Sequence, residues 1–176
     1  MKYAFRTPLA GILLIFFVAC SGETVTSSSP EKNLTATSAS TAKHDANLVV
    51  HKSPTCGCCG AWVDHVKTAG FSAGVVEDSD LQALKDRFGI APQTRSCHTA
   101  IYNDEYVFEG HVPPASMSAF LSNPPLEARG LVVPGMPIGS AGMEDGDRFQ
   151  PFQVLQLNKD GSYVVYATIE NYEQQF

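Results

Sequence analysis

Little in this 176-residue chain is basic. Lysine and arginine total 12 against 18 aspartates and glutamates, and all charged residues together make up only 17% of the sequence. Such a chain has no basic stripe with which to neutralise a phosphate backbone, so nucleic acid is excluded as a partner. The Gly-Lys-Ser/Thr of a phosphate loop is also missing. "GMPIGSAG" (Gly135 to Gly142) has the glycines without the lysine, which removes nucleotide binding there. No period in the sequence marks a repeat. The apolar run from Leu9 to Ala19 falls well short of the roughly 20 residues that a membrane-spanning helix needs.

That run, with Lys2 and Arg6 ahead of it, has the charge and length of a secretory signal, so residues 1–20 are set aside from the fold. It ends "FVAC" followed by Ser21 and Gly22. A small residue before a cysteine resembles the lipobox of bacterial lipoproteins, with Phe17 where leucine is usual, and makes Cys20 the lipidated N-terminus. Ordinary signal cleavage is the alternative, and either route exports the protein. Without Lys2 and Arg6 the basic residues number 10 against 18 acidic ones, a formal charge of −8. Residues 21–47 are rich in Ser, Thr and Ala and poor in large apolar side chains. They cannot bury enough surface to order themselves and read as a disordered tether between lipid and folded domain.

Residues 48–176 have the size and the Val, Ile, Leu and Phe content of one domain. "NLVVHK" (Asn47 to Lys52) reads as a short strand broken by Ser53 and Pro54. "CCGAWVDHVKTAG" places Trp62, Val63 and Val66 at helical spacing, with Gly70 to end the helix. "FSAGVVE" is a second strand. "DSDLQALKDRFG" is a second helix, capped by Ser79 or Asp80 and stopped by Gly89. "HTAIYNDEYVFEGHV" predicts two strands joined across Asn103 and Asp104, and "PPASMSAFLSN" a helix opening on proline. The order β-α-β-α-β-β-α is that of an α/β, thioredoxin-like unit over residues 48–123. Residues 124–176 form a C-terminal extension packed on it. Within that extension, Arg129 to Glu144 ("RGLVVPGMPIGSAGME") reads as a Gly- and Pro-rich loop, neither helix nor strand. "FQVLQLNKDGSYVVYA" reads as a hairpin turning at Asp160 and Gly161, able to pin the loop onto the domain.

Three of the five cysteines, Cys56, Cys58 and Cys59, fall within "CGCC" at the start of the first helix. There the unpaired N–H groups and the positive end of the dipole favour thiolate, which is both nucleophile and metal ligand. Cys56 and Cys59 have C-x-x-C spacing. A disulfide oxidoreductase needs one thiol to attack and one to resolve, so Cys58 is surplus to that chemistry. Cys97 and His98 precede the third strand, where a thioredoxin-like fold puts a cis-proline loop against the redox motif. No proline occurs between Pro92 and that strand, so Cys97 and His98 take the facing position. Four sulfurs and an imidazole then converge. Such soft donors suit Cu(I), and also zinc, better than magnesium or calcium, and the thioethers of Met136 and Met143 favour Cu(I) over zinc. Two structural disulfides are the bland reading of four exported cysteines, but adjacent Cys58 and Cys59 are a poor start for two unstrained bridges.

"CGCCGAWVDHV", "SCHTA", "EGHVP" and "GLVVPGMPIGSAGME" resemble, in that order, the motifs of the CopG family of bacterial periplasmic copper proteins, long catalogued as a domain of unknown function. The resemblance runs from Leu48 to about Tyr172. It implies a thioredoxin-like fold with a metal-binding C-terminal extension, copper in a multinuclear, cysteine-bridged cluster, and a role in copper resistance that interconverts Cu(I) and Cu(II). Cys56, Cys58, Cys59 and Cys97 are then the copper thiolates, with His98, His111, Met136 and Met143 as further ligands or their supports. His51 and His65 are left out, as a strand residue and a residue of the polar helix side. Members of this family are generally soluble periplasmic proteins, so the lipobox and tether depart from its pattern.

The sequence thus predicts an exported periplasmic protein held to a membrane through its N-terminal lipid. Its partners are copper ions and periplasmic copper efflux or chaperone proteins. A copper sponge or chaperone without turnover remains as an alternative to a redox protein, and so does a thiol–disulfide oxidoreductase.

Overall fold

Asn103 and Asp104 both have left-handed backbones, φ 52° and 56°, the pairing that a type I′ turn demands and that these two residue types tolerate best. The N–H of Glu105 closes the turn by donating to the carbonyl of Tyr102 at 3.0 Å. Strands β3 (His98–Tyr102) and β4 (Tyr106–Glu109) consequently pair antiparallel, as the sequence predicts.

The computed structural model describes residues 44–78 and 80–176. Cys20, the signal segment, the tether as far as residue 43 and the alternative cap Ser79 lie outside the described residues. In chain order the remaining elements are β1 (His44–Lys52), α1 (Gly57–Thr68), β2 (Phe71–Glu77), α2 (Leu81–Arg87), α3 (Pro114–Ser122), β5 (Ala128–Val132), β6 (Phe152–Asn158) and β7 (Tyr163–Ile169), with β3 and β4 between α2 and α3. Short 3-10 turns stand at Pro92–Thr94 and Tyr172–Gln175. Strand β1 begins at His44 rather than at Asn47, through a pairing of His44 with Phe71 across an irregularity. Asp80 caps α2 by accepting the N–H of Ala83 at 3.2 Å, and Pro114 opens α3.

The strands make one sheet in the order β2-β1-β3-β4-β5-β6-β7. Strand β1 runs parallel to β2 and antiparallel to β3, β4 runs parallel to β5, and the β6–β7 hairpin continues the sheet beyond β5. The result is a mixed α/β fold with a seven-stranded sheet and three α-helices among the described residues.

Both faces of the sheet centre are covered. Ala100 and Phe108 face a core that includes Leu48, Val50, Trp62 and Val66 together with Met117 and Phe120 of α3. Their neighbours Ile101 and Val107 face a second core with Phe88, Ile90, Val132 and Leu157. Alternate residues of a strand point to opposite faces, so a sheet apolar on both sides must be buried on both.

One expectation is corrected. Arg129 to Glu144 is not loop throughout, because Arg129, Gly130, Leu131 and Val132 belong to β5. Gly130 misleads as loop punctuation. A Cβ there would lie 1.7 Å from the carbonyl oxygen of Val107, so glycine permits a close approach of β5 to β4 and marks a strand contact.

Candidate metal centre

The first turn of α1 brings the thiols together. Cys56 is its N-cap residue, with its N–H donated to the carbonyl of Ser53 at 3.1 Å, and Cys58 and Cys59 follow within the helix. Cys56 and Cys59 are joined as a disulfide, while Cys58 and Cys97 are free thiols. The sulfurs of Cys56 and Cys58 stand 3.6 Å apart, and all four sulfurs lie within 4.8 Å of one another. Cys59 is fully buried and the other three are partly exposed.

Cys97 sits just before β3, facing the helix start, and belongs to a second group with His98 and His111. Its sulfur is 3.2 Å from His98 Nδ1 and 3.1 Å from His111 Nε2. Both imidazoles are fully buried. The carbonyl of Ala141 can only accept, so His111 Nδ1, 2.8 Å away, carries the proton. His111 Nε2 therefore turns a lone pair toward Cys97. Burial pushes the Cys97 thiol up to about 12, helped by the nearby Cys58 sulfur, which favours the thiol form of Cys97 beside that lone pair. Burial holds His98 well below the ordinary histidine range, with the charges of His111 and Lys85 acting in the same direction, and burial lowers His111 as well. Both rings are thereby kept neutral, the form that ligates metals.

His98 Nε2 is buried without a hydrogen-bond partner among the described residues, and the ring packs on Trp62 with centroids 4.4 Å apart. Trp62 is in turn fixed by its Nε1–H, which donates to the Val112 carbonyl at 2.9 Å. The His98 nitrogen that faces the thiols is the other one, Nδ1, 3.2 Å from the Cys97 sulfur, and a neutral imidazole there adds a nitrogen donor to the sulfur set. Neither group contains a carboxylate, so the donor set fits Cu(I) or zinc and not magnesium or calcium.

The two methionines part company. Met143 lines an open cleft of about 520 Å³ with Cys58, Ala61 and Ile138 at the mouth of the thiol cluster. Met136 does not line that cleft and is 52% exposed.

Several contributors lie outside the predicted set. His65, left out of the site, donates from Nε2 to Glu144 Oε1 at 2.7 Å. Glu144 also accepts the N–H of Gly142 at 3.0 Å. Burial alone would raise Glu144, but the Gly142 N–H and His65 outweigh it and hold the carboxyl below its usual range. This acid clamps the loop carrying Met143 to α1. Glu109, fully buried, accepts the N–H of Ser96 at 2.6 Å and so fixes the residue before Cys97. A charged residue inside the otherwise apolar "YVFEGHV" is the signal that marks Glu109. His51 stands away from this cluster, with Nδ1 3.4 Å from Asp78.

Fold and site together define a mixed α/β protein with a cysteine–histidine cluster fit to bind a soft metal. Two solved structures named copper resistance protein CopG, forms 1 and 2, each align with a TM-score of 0.66 at 37% identity. Both cover 70% of this chain, and the alignments take in 96% and 98% of their own lengths. Residues 94–143 match the family model described as a protein of unknown function, DUF411. No curated protein matches the chain. The chain belongs to the CopG family.

Proposed function

We propose that this chain is an exported copper-binding protein of copper resistance whose cargo is held by Cys56, Cys58, Cys59 and Cys97 with His98 and His111. The observation that carries the reading is the convergence of four sulfurs within 4.8 Å. Its soft donors favour Cu(I). Cys56 and Cys59 act as thiolates only after their bridge is reduced by thiol–disulfide exchange with an external dithiol, which supplies the two electrons and leaves as its own disulfide, so an oxidised metal-free form and a reduced metal-binding form share one site. Sulfur and imidazole donors accommodate both Cu(I) and Cu(II), which supports a redox protein over a sponge or chaperone, and several bridging thiolates support more than one copper. Met143 at the mouth of the cleft suits a thioether that guides Cu(I) inward; Met136 is the weaker member of the set.

The sheet order β2-β1-β3-β4, with α1 starting at the cysteines, supports a thioredoxin-like unit over residues 48–123 and an extension over residues 124–176 packed on it. Export to the bacterial periplasm and a lipid on Cys20 rest on the N-terminal sequence alone. Copper efflux or chaperone proteins are the partners this reading calls for. The bridge between Cys56 and Cys59 favours a second reading, a thiol–disulfide oxidoreductase, although Cys58 has no task in it.

The test is metal analysis of protein reduced and loaded with Cu(I) under anaerobic conditions, followed by equimolar zinc and by a moderate Cu(I) chelator. Copper should survive both, and thiolate-to-copper absorption should appear on oxidation and reverse on reduction. Zinc displacing copper would sink the copper reading. An oxidised spectrum without such absorption would leave a sponge.

A further inference from the structure

Gln175 sits in the 3-10 turn Tyr172–Gln175 and is fully buried. Glutamine side chains are mostly solvated, and this one divides its carboxamide between a distant loop and the carbonyl of Tyr172 in its own turn, to which Nε2 donates at 3.3 Å. Its Oε1 accepts the N–H of Ala141 at 2.7 Å, and its Nε2 donates to the carbonyl of Gly139 at 2.9 Å. The loop so gripped turns on two glycines with left-handed backbones, Gly139 at φ 82° and Gly142 at φ 86°. Ala141 presents its own carbonyl to His111 Nδ1 at 2.8 Å, and His111 Nε2 reaches the Cys97 sulfur at 3.1 Å.

We infer that Gln175 is a positioning residue for the metal centre: by holding Ala141 it aims the carbonyl that fixes the His111 tautomer, and so keeps the Nε2 lone pair directed at Cys97. The chain of contacts is continuous from carboxamide to peptide, imidazole and sulfur. No other side chain is hydrogen-bonded to the N–H of Ala141 among the described residues. An imidazole that ligates through one nitrogen depends on an acceptor for the proton of the other, and loss of such an acceptor typically weakens metal binding about 10- to 100-fold. The Tyr172–Gln175 turn is thereby part of the site, although the motifs that carry the family resemblance lie well before it.

The inference rests on the copper reading only for its metal arm, and its first arm needs no metal. In the oxidised, metal-free full-length protein, side-chain 15N NMR of His111 under neutral-imidazole conditions should show the Nδ1–H tautomer dominant in the wild type. Gln175→Met should raise the Nε2–H tautomer to a comparable population. Gln174→Ala should not, because Gln174 serves only Glu170. Should Gln175→Met fail to fold, Gln175→Asn, which retracts the same carboxamide by one methylene, replaces it. In the second arm, Cu(I) competition against a chromophoric chelator should show about 10- to 100-fold weaker binding in the Gln175 variant than in wild type. An unchanged tautomer in the variant, or an Nε2–H tautomer in the wild type, overturns the inference whatever copper does. A wild type that binds no Cu(I) sinks the copper reading and leaves the tautomer result to stand by itself.

Discussion

Lys85 places its Nζ 2.5 Å from Glu109 Oε1, and the two side chains are 1% and 0% exposed. Lys85 also donates to Thr99 Oγ1 at 3.0 Å, Thr99 donates to Glu109 Oε2 at 2.6 Å, and Glu109 takes the Ser96 N–H at 2.6 Å. A buried pair is weak evidence for stability but dangerous to break, since the survivor is left as an uncompensated charge. Glu109→Ala should therefore cost about 3–5 kcal/mol, a fall in Tm on the order of 10 °C, measured by thermal unfolding of the metal-free protein. The double change Lys85→Met with Glu109→Gln should cost less, because no charge is stranded and the Gln carbonyl still takes the Ser96 N–H. Equal losses in the two variants would show that the charge itself is not what matters.

Gly142 and Gly135 offer a controlled comparison in the same loop. Both have left-handed backbones, φ 86° and 69°. A Cβ on Gly142 would lie 2.6 Å from the Trp62 backbone nitrogen and 2.7 Å from the Cys58 carbonyl oxygen, whereas one on Gly135 would meet nothing within 4 Å. Gly135→Ala should carry only the backbone penalty, about 1–2 kcal/mol. Gly142→Ala carries that penalty plus displacement of the loop from α1, and should lower Tm further and release copper faster. Indistinguishable unfolding of the two variants would refute the close packing of this loop on the cysteine helix.

What the sequence discloses and what it conceals divide along physical lines. The helix that carries Cys56, Cys58 and Cys59 is local: a strand, a Ser-Pro break and apolar spacing at Trp62, Val63 and Val66 suffice to place it. So is the turn at Asn103 and Asp104, and so is the Asp160–Gly161 hairpin, where Gly161 has φ 85°. Strand β5 is different, because Gly130 is required by a contact with Val107 in another strand, and no local pattern separates that glycine from a loop glycine. The same holds for the supports of the site. Gln175 reaches Ala141 across 34 residues, and His65 reaches Glu144 from the helix side that periodicity assigns to solvent. Cys97 and His111 are legible as donors by type, yet their approach to 3.1 Å is a product of the β3–β4 pairing.

Cys58 separates the two chemistries that the site admits. Cys58→Ser leaves the Cys56–Cys59 bridge untouched, so a dithiol oxidoreductase should keep its disulfide-reducing activity. A thiolate cluster should instead lose copper stoichiometry and its charge-transfer absorption, since Cys58 is the free thiol 3.6 Å from Cys56. Metal analysis and absorption of the reduced, loaded variant read the outcome. Wild-type copper content in Cys58→Ser would remove this residue from the site and return the motif to plain C-x-x-C chemistry.

The N-terminus is independent of all this, and one measurement reaches it. If "FVAC" is processed as a lipobox, the mature chain begins at Cys20 with acyl chains attached and partitions with membranes, because stable anchoring takes more than one chain. Cys20→Ser should then block processing or release the protein, with Cu(I) binding unchanged, since both donor groups are complete among the described residues. Mass spectrometry of the native N-terminus gives the answer directly. A mature chain starting after position 20, or Cys20 present without lipid, ends the lipoprotein proposal; it leaves the copper proposal intact, because the donors proposed for that site all lie between Cys56 and Met143.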